Sequence, residues 1–320
     1  ALGHQRLSII DLKGGDQPRI DTNSGDCLVF NGEIYKYKCH AKNLKNLGIK
    51  IKDNSDTEVL FKLLQFYGIE KTLAIIDGMF AFAYFDGKQK TLWLARDRMG
   101  EKPLYYYHNG ASIVFGSEIA SILLNPTLKN KTLNKKAIIN YLHMDYIPLG
   151  QTLINNIVKV LPGECVKFKS GSLRKNFYWS MQLSPKTKKS KSKISKDLDF
   201  LINDSVKNRL LADVPVGVFL SGGIDSSLIA MYAKKYQPDI ESFTIKMGSD
   251  SYDESEYAKK VASHLKIKNH CIEFDENELV NSLDQVEKKL DEPLSDPSLL
   301  PTYTLAKFTR QHVKVVLSGD

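Results

Sequence analysis

The stretch Val216–Ser227, VGVFLSGGIDSS, decides how the second half of the chain is read. An apolar run, Val216–Leu220, passes into two glycines, three serines and one aspartate, and no lysine follows the glycines. Glycine lets backbone come close to a ligand. Amide groups at the start of a following helix offer a positive dipole end to an anion. The hydroxyls of Ser221, Ser226 and Ser227 add donors. Asp225 would repel a phosphate, so a bridging Mg²⁺ is the natural reason for a carboxylate there. The missing lysine argues against a Walker-type loop. From these residues alone a blander reading also stands: a glycine turn whose serine and aspartate cap the next helix.

Around this stretch, helical and strand patterns alternate. The spacing predicts helices over 196–211, 225–236, 254–265 and 276–290, and strands over 216–220, 242–247, 270–274 and 314–317. Such alternation predicts an α/β domain built on a doubly wound parallel sheet, with ligands at the carboxyl ends of its strands. Before residue 168 the rhythm differs. DCLVFNGEIYKY, GMFAFAYFD, KTLWLARD, KPLYYYHNG and ASIVFGSE are short β-branched and aromatic runs broken by Gly, Asn and Asp, the pattern of antiparallel hairpins. Two helices are predicted among them, Thr57–Tyr67 behind a Ser55/Asp56 cap and Ser117–Leu124. The first half therefore reads as a layered α+β domain. We place it at 1–170, closed by the LPGE turn at Leu161–Glu164, followed by a Lys/Ser-rich linker at 171–197 and a second domain at 198–320.

A length of 320 residues suits two domains, and 42% hydrophobic with 26% charged residues is ordinary for a globular chain. No apolar run is long enough to span a bilayer, and no signal segment opens the chain, so no membrane partner is expected. Cys27, Cys39, Cys165 and Cys271 lie far apart without metal-ligand spacing, which fits thiols in a reducing cytoplasm. The seven histidines show no ligand spacing either, so no metal beyond Mg²⁺ is expected. The formal charge is +8, yet SPKTKKSKSKISK at Ser184–Lys196 holds six lysines and no acid, and without them the chain is near balance. A lysine tract without aromatic residues reads as a solvated connector, and nucleic acid is not an expected partner.

The string SGGIDSS resembles the pyrophosphate loop of the ATP pyrophosphatases, and RLLADVPVGVFLSGGIDSSLIA narrows the resemblance to the asparagine synthetase family. LDEPLSDPSLLPTYTLAK and HVKVVLSGD agree downstream. GHQRLSIIDLKGGDQP, FNGEIYKY, SDTEVL, GMFAFAYFD, LARDRMGEKPLYYY and FGSEIASIL resemble that family's class II glutamine amidotransferase domain. The resemblance runs along nearly the whole chain, in the family's order. It implies a nucleotide site in which Leu220 and the backbone near Ile245 hold adenine or ribose. Ser221, Gly222, Gly223 and Ser226 would cradle pyrophosphate, Asp225 would bind Mg²⁺, and Ser318 and Gly319 would start a second nucleotide-contacting loop. It also implies a glutamine site. Arg6 would clamp the α-carboxylate, with a Leu7–Ser8–Ile9–Ile10 strand lining the pocket. Asn31, Gly32 and Glu33 would form the oxyanion hole and hold substrate, and Asp56 would pair with the α-ammonium. Taken singly, Asn31-Gly32 is also a hairpin turn and Asp56 also a helix cap.

The resemblance further implies glutamine, aspartate and ATP as substrates, adenylation of aspartate to aspartyl-AMP, displacement of AMP by ammonia, and a homodimer. The family's nucleophile is an N-terminal cysteine, whereas residue 1 here is alanine. We therefore expect an internal fragment, inactive by itself. Rival expectations are amidation of another carboxylate such as a surface-sugar acid, β-lactam closure, an inactive nucleotide-binding module, or a tRNA-modifying pyrophosphatase.

Overall fold

A computed structural model describes residues 1–128, 131–148, 150–183, 187–248 and 253–319. The chain divides into two compact units, Ala1–Leu183 with Asp291–Ser295, and Ser184–Leu290 with Asp296–Asp320.

The first unit holds strands β1 (Arg19–Asp21), β2 (Asp26–Tyr35), β3 (Asp77–Asp86), β4 (Thr91–Arg96), β5 (Tyr105–His108), β6 (Ile113–Gly116), β7 (Ile157–Lys159), β8 (Glu164–Lys169) and β9 (Ser172–Phe177). Its helices are α1 (Tyr37–Asn46), α2 (Asp56–Ile75), α3 (Ile119–Leu123) and α4 (Lys135–Met144). One sheet runs β1-β2-β3-β4-β8-β9 and a second β6-β5-β7, with every pairing antiparallel. The period of two along β2 and β3 divides their side chains between two cores. Leu28, Phe30, Phe80, Phe82 and Tyr84 pack with Val59, Leu60 and Leu63 of α2. Val29, Ala81 and Ala83 pack with Tyr106 and Val160 instead. Truncating a fully buried side chain such as Phe82 would cost about 3–5 kcal/mol.

The second unit adds α5 (Lys191–Arg209), β10 (Val216–Phe219), α6 (Ile224–Tyr236), β11 (Glu241–Met247), α7 (Ser255–Leu265), β12 (Lys268–Phe274), α8 (Glu276–Glu287), α9 (Leu299–Thr309) and β13 (Val315–Leu317). The sheet order is β12-β11-β10-β13, parallel throughout. Val206 of α5, Ala230 and Ala233 of α6, and Ala258 of α7 fill one core. Leu305 and Phe308 of α9 pack around Phe243 in another. The fold class is therefore as expected: antiparallel α+β, then doubly wound α/β. Strand order reverses at β10, so the loops after β10 and β13 emerge side by side at the strands' carboxyl ends, where such sheets take ligands.

Several local expectations are corrected. The 171–197 stretch is not a connector throughout: β9 pairs along β8, and α5 begins at Lys191 with Ser190 accepting from the Lys193 amide. Positions 184–186 of the lysine tract lie outside the described residues. The LPGE turn does not close the first unit, because β8 and β9 follow it. Leu7–Ile10 is irregular, not a strand. Helix α2 runs past Tyr67 to Ile75 through a break at Gly68, φ 77°. Asp291–Ser295 belongs to the first unit: Asp291 accepts from the Ala120 amide at 3.1 Å, and Glu292 pairs with Lys159 at 2.7 Å. Among the described residues no helix is long and apolar enough to cross a membrane.

Gly32 sits inside β2 at φ 146°, and a Cβ there would lie 2.0 Å from the Met79 carbonyl oxygen. Gly32→Ala is expected to cost roughly 2–4 kcal/mol, lowering the calorimetric unfolding midpoint by about 5–10 °C. Gly3→Ala, whose Cβ meets nothing within 4 Å, is expected to leave the midpoint in place. Equal midpoints for the two variants contradict the close approach of β2 and β3.

Candidate functional site

In the first unit a cavity of about 780 Å³ opens where the irregular segment before Asp11 meets β2 and the start of α2. Arg6, Leu7, Ile9, Ile10, Asn31, Gly32, Glu33 and Asp56 line it together; Ser8 is not among the lining residues. Asn31 and Gly32 are not a hairpin turn, since they lie mid-strand opposite Ala81 and Phe80. Asp56 is not the cap itself. Ser55 caps α2 by accepting from the Glu58 amide at 3.0 Å, which frees Asp56 to accept from the amides of Ile34 at 3.0 Å and Thr57 at 2.9 Å.

Two carboxylates thus share one buried pocket. Burial, then the neighbouring Asp56 charge, pushes Glu33 up to about 7 against the opposing Lys102. Burial also pushes Asp56 up to about 6, against its accepted amide bonds and Arg6. One Glu33 oxygen is buried with no hydrogen-bond partner among the described residues. A buried acceptor without a donor is costly, and a bound cationic donor would relieve it. The pair has opposite consequences for folding and binding. Ionising Glu33 in this pocket lowers stability as pH rises from about 4.5 through about 7, while a cationic ligand needs that ionised form.

Arg6 is half-buried. Its guanidinium donates to the carbonyls of Ile10 at 2.7 Å, Asp11 at 2.9 Å and Gly14, which ties down the 10–14 turn and leaves some of the fork for another acceptor. Lys102 was not singled out from the sequence. It is positioned by the fully buried Asp97, which accepts from the amides of Phe80, Met99, Glu101 and Lys102 at 3.0–3.1 Å. The string DRMGEKP carried that signal.

In the second unit the SGGIDSS loop joins β10 to α6. Gly222 has φ 88°, and a Cβ there would lie 2.5 Å from the Ala258 amide nitrogen. Gly223 begins α6 with no side-chain cap, so the first-turn amides keep their free donors. Ser221 and Ser226 hydroxyls lie 3.0 Å apart, and Ser227 donates to the Gly223 carbonyl at 2.6 Å. These hydroxyls brace the loop. Asp225 is exposed in the first turn of α6, an oxygen ligand in the open that fits Mg²⁺. Gly319 meets the same loop: a Cβ on it would lie 2.5 Å from the Ser226 amide nitrogen, which brings Ser318-Gly319 beside the nest. The Leu220 side chain is buried in the core, so only its backbone is available to a ligand; its carbonyl accepts from Thr244 at 2.7 Å. Ile245 is half-buried, paired with Ile272.

Residues 1–179 match the family described as glutamine amidotransferase domain, and residues 197–320 match asparagine synthase. Asparagine synthetase [glutamine-hydrolyzing] 1 of Bacillus subtilis is 34% identical over 99% of this chain and 50% of its own length. Asparagine synthetase [glutamine-hydrolyzing] 3 of the same organism is 35% identical over 72% of this chain and 38% of its own. The amidase chry2 of Gibberella zeae is 30% identical over the whole chain and 50% of its own. The chain spans about half the length of the first and third of these relatives. By these matches and by its two folds, the chain belongs to the glutamine-hydrolysing asparagine synthetase family.

Proposed function

We propose that this chain carries the glutamine-binding and ATP-binding regions of an enzyme that makes asparagine from aspartate. The observation that carries the reading is the pair of buried carboxylates, Glu33 and Asp56, beside Arg6 in one cavity. An α-amino acid presents an ammonium and a carboxylate a few ångströms apart, and this pocket offers the complementary charges. Glu33 and Asp56 take the α-ammonium, and the unspent edge of Arg6 takes the α-carboxylate. The side-chain amide then points to Asn31 and Gly32, whose donors hold the oxyanion as the carbonyl becomes tetrahedral. None of the four cysteines is among the residues lining the cavity. The nucleophile is taken from the resemblance, which implies an N-terminal cysteine. Its sulfur bonds the amide carbon, ammonia leaves, and water releases glutamate from the thioester.

At the second site the aspartate side-chain carboxylate attacks the α-phosphorus of ATP, the α–β bridging bond breaks, and aspartyl-AMP and pyrophosphate form. Ammonia then displaces AMP. The amides of Gly222 and the first turn of α6 hold the departing pyrophosphate through a helix start and its dipole, while the Gly223 amide donates to the Ser221 hydroxyl at 3.2 Å and braces the loop. Asp225 would hold Mg²⁺, which supplies charge neutralisation on the phosphate oxygens. Gly319 packs against the Asp225–Ser226 peptide of that loop. The match to a protein named an amidase favours a second reading, in which the same adenylation serves a different carboxylate.

Two measurements test this. Glutamine affinity, by calorimetry on this chain, is expected to weaken about tenfold or more from about pH 8 to about pH 5.5, as Glu33 and then Asp56 take up protons. Asp56→Asn is expected to weaken it at least about tenfold at the higher pH. A flat pH profile contradicts the ammonium assignment. In the full-length gene product, aspartate-dependent exchange of pyrophosphate into ATP is expected, falling by about 100-fold or more in Asp225→Ala. Exchange with another carboxylate and none with aspartate would establish the second reading instead.

A further inference from the structure

At the end of the parallel sheet remote from the SGGIDSS loop, three side chains from distant regions of the sequence converge. Glu241 is the first residue of β11, His270 lies on β12 opposite Phe243, and His312 lies in the turn between α9 and β13. One ligand atom from each falls within 4.8 Å of the other two. The Nε2 of His270 is 2.9 Å from a Glu241 oxygen. The two imidazole rings stand 4.5 Å apart, and each stacks or tilts on Phe243, at 5.1 Å for His270 and 5.5 Å for His312. Phe308 of α9 closes on His312 at 5.2 Å.

We propose that Glu241, His270 and His312 form a binding site for a divalent first-row transition metal, with zinc the best-matched ion. Two imidazoles and one carboxylate are a donor set that zinc favours, and three protein ligands leave a fourth position for water. Bonds of about 2.0–2.2 Å to one ion would draw the ligand atoms to roughly 3–3.6 Å from each other. That closure asks for about 1 Å of movement, and His312, exposed in its turn, can supply it by side-chain rotation. The aromatic rings behind both histidines fix their planes, the role that outer-shell contacts play in established sites. Lys268 donates to the other Glu241 oxygen at 2.9 Å. It therefore competes for the carboxylate without occupying the oxygen that faces His270, and it is itself well exposed. The site is remote from the carboxyl ends of the strands, so its role is to staple the β11–β12 edge to the turn before β13.

The test uses the chain stripped with a chelator, in a Cys39→Ser/Cys271→Ser background because those two thiols are exposed and would bind zinc. Competition against a chromophoric chelator is expected to show one equivalent of Zn²⁺ bound at about micromolar affinity or tighter. Co²⁺ should give the visible absorption of a four-coordinate site. His312→Ala, at an exposed position, is expected to weaken binding at least about tenfold and remove the cobalt band. Glu241→Gln should weaken it as well. Zinc should raise the unfolding midpoint of the parent protein but not of His312→Ala. Less than one equivalent bound, or the same affinity in His312→Ala and the parent, overturns the proposal and leaves a histidine–glutamate pair packed among aromatic rings.

Discussion

The first unit depends on one buried carboxylate. Asp56 stands at the first turn of α2 and accepts amides from both sides of the pocket, from Ile34 on β2 and from Thr57 on its own helix. Those bonds set where α2 begins relative to β2, and they place Glu33, the residue before Ile34, beside a second negative charge. Burial makes that arrangement expensive: both carboxyls are pushed upward in pKa, with desolvation the leading cause for each. The unit holds it because the hydrophobic layer of α2 on the sheet is extensive, and because Asp97 and Arg6 each fix a neighbouring loop with several backbone hydrogen bonds. The result is a pocket in which Asp56 is solvated by backbone amides while one Glu33 oxygen is left without a partner among the described residues.

Close backbone approach is the constraint shared by both halves. Gly32 lies against the Met79 carbonyl, Gly222 against the Tyr257–Ala258 peptide, and Gly319 against the Asp225–Ser226 peptide. At each, a side chain would push apart segments that carry proposed ligand-binding groups. In the second unit this closeness falls at the reversal of strand order around β10, the place where a parallel sheet leaves a crevice. Helix α6 starts there without a side-chain cap, which leaves its first-turn amides available to the anion proposed above.

Much of this was legible in the sequence, for identifiable reasons. The strands of the main sheet show as short β-branched and aromatic runs, apolar nearly throughout because each face has its own core. The β/α alternation after Lys191 shows the parallel sheet. What was missed lacked such patterns. Helix α1 buries only Tyr37 and Leu44 in a largely polar run, and α4 buries only Ala137 while Ile139, Leu142 and Met144 stay exposed, so neither presents the broad core-facing stripe that α2 does. Strand β9 is exposed along nearly all its length, and its Lys/Arg-rich sequence resembled a linker. The Leu7–Ile10 strand rested on the resemblance alone, and in the structure Ile9 and Ile10 pack on the first core from an irregular segment. The Glu241–His270–His312 cluster is built across three elements, and no sequence spacing could have shown it.

The central claim is that the Glu33–Asp56 pocket receives an α-ammonium group. A carbon-13 NMR titration of the labelled Glu33 carboxylate, with and without saturating glutamine, tests it most directly. The account predicts a midpoint near 7 without ligand, falling to roughly 6 or lower with glutamine bound. A midpoint unmoved by glutamine, with binding verified by calorimetry, would contradict it.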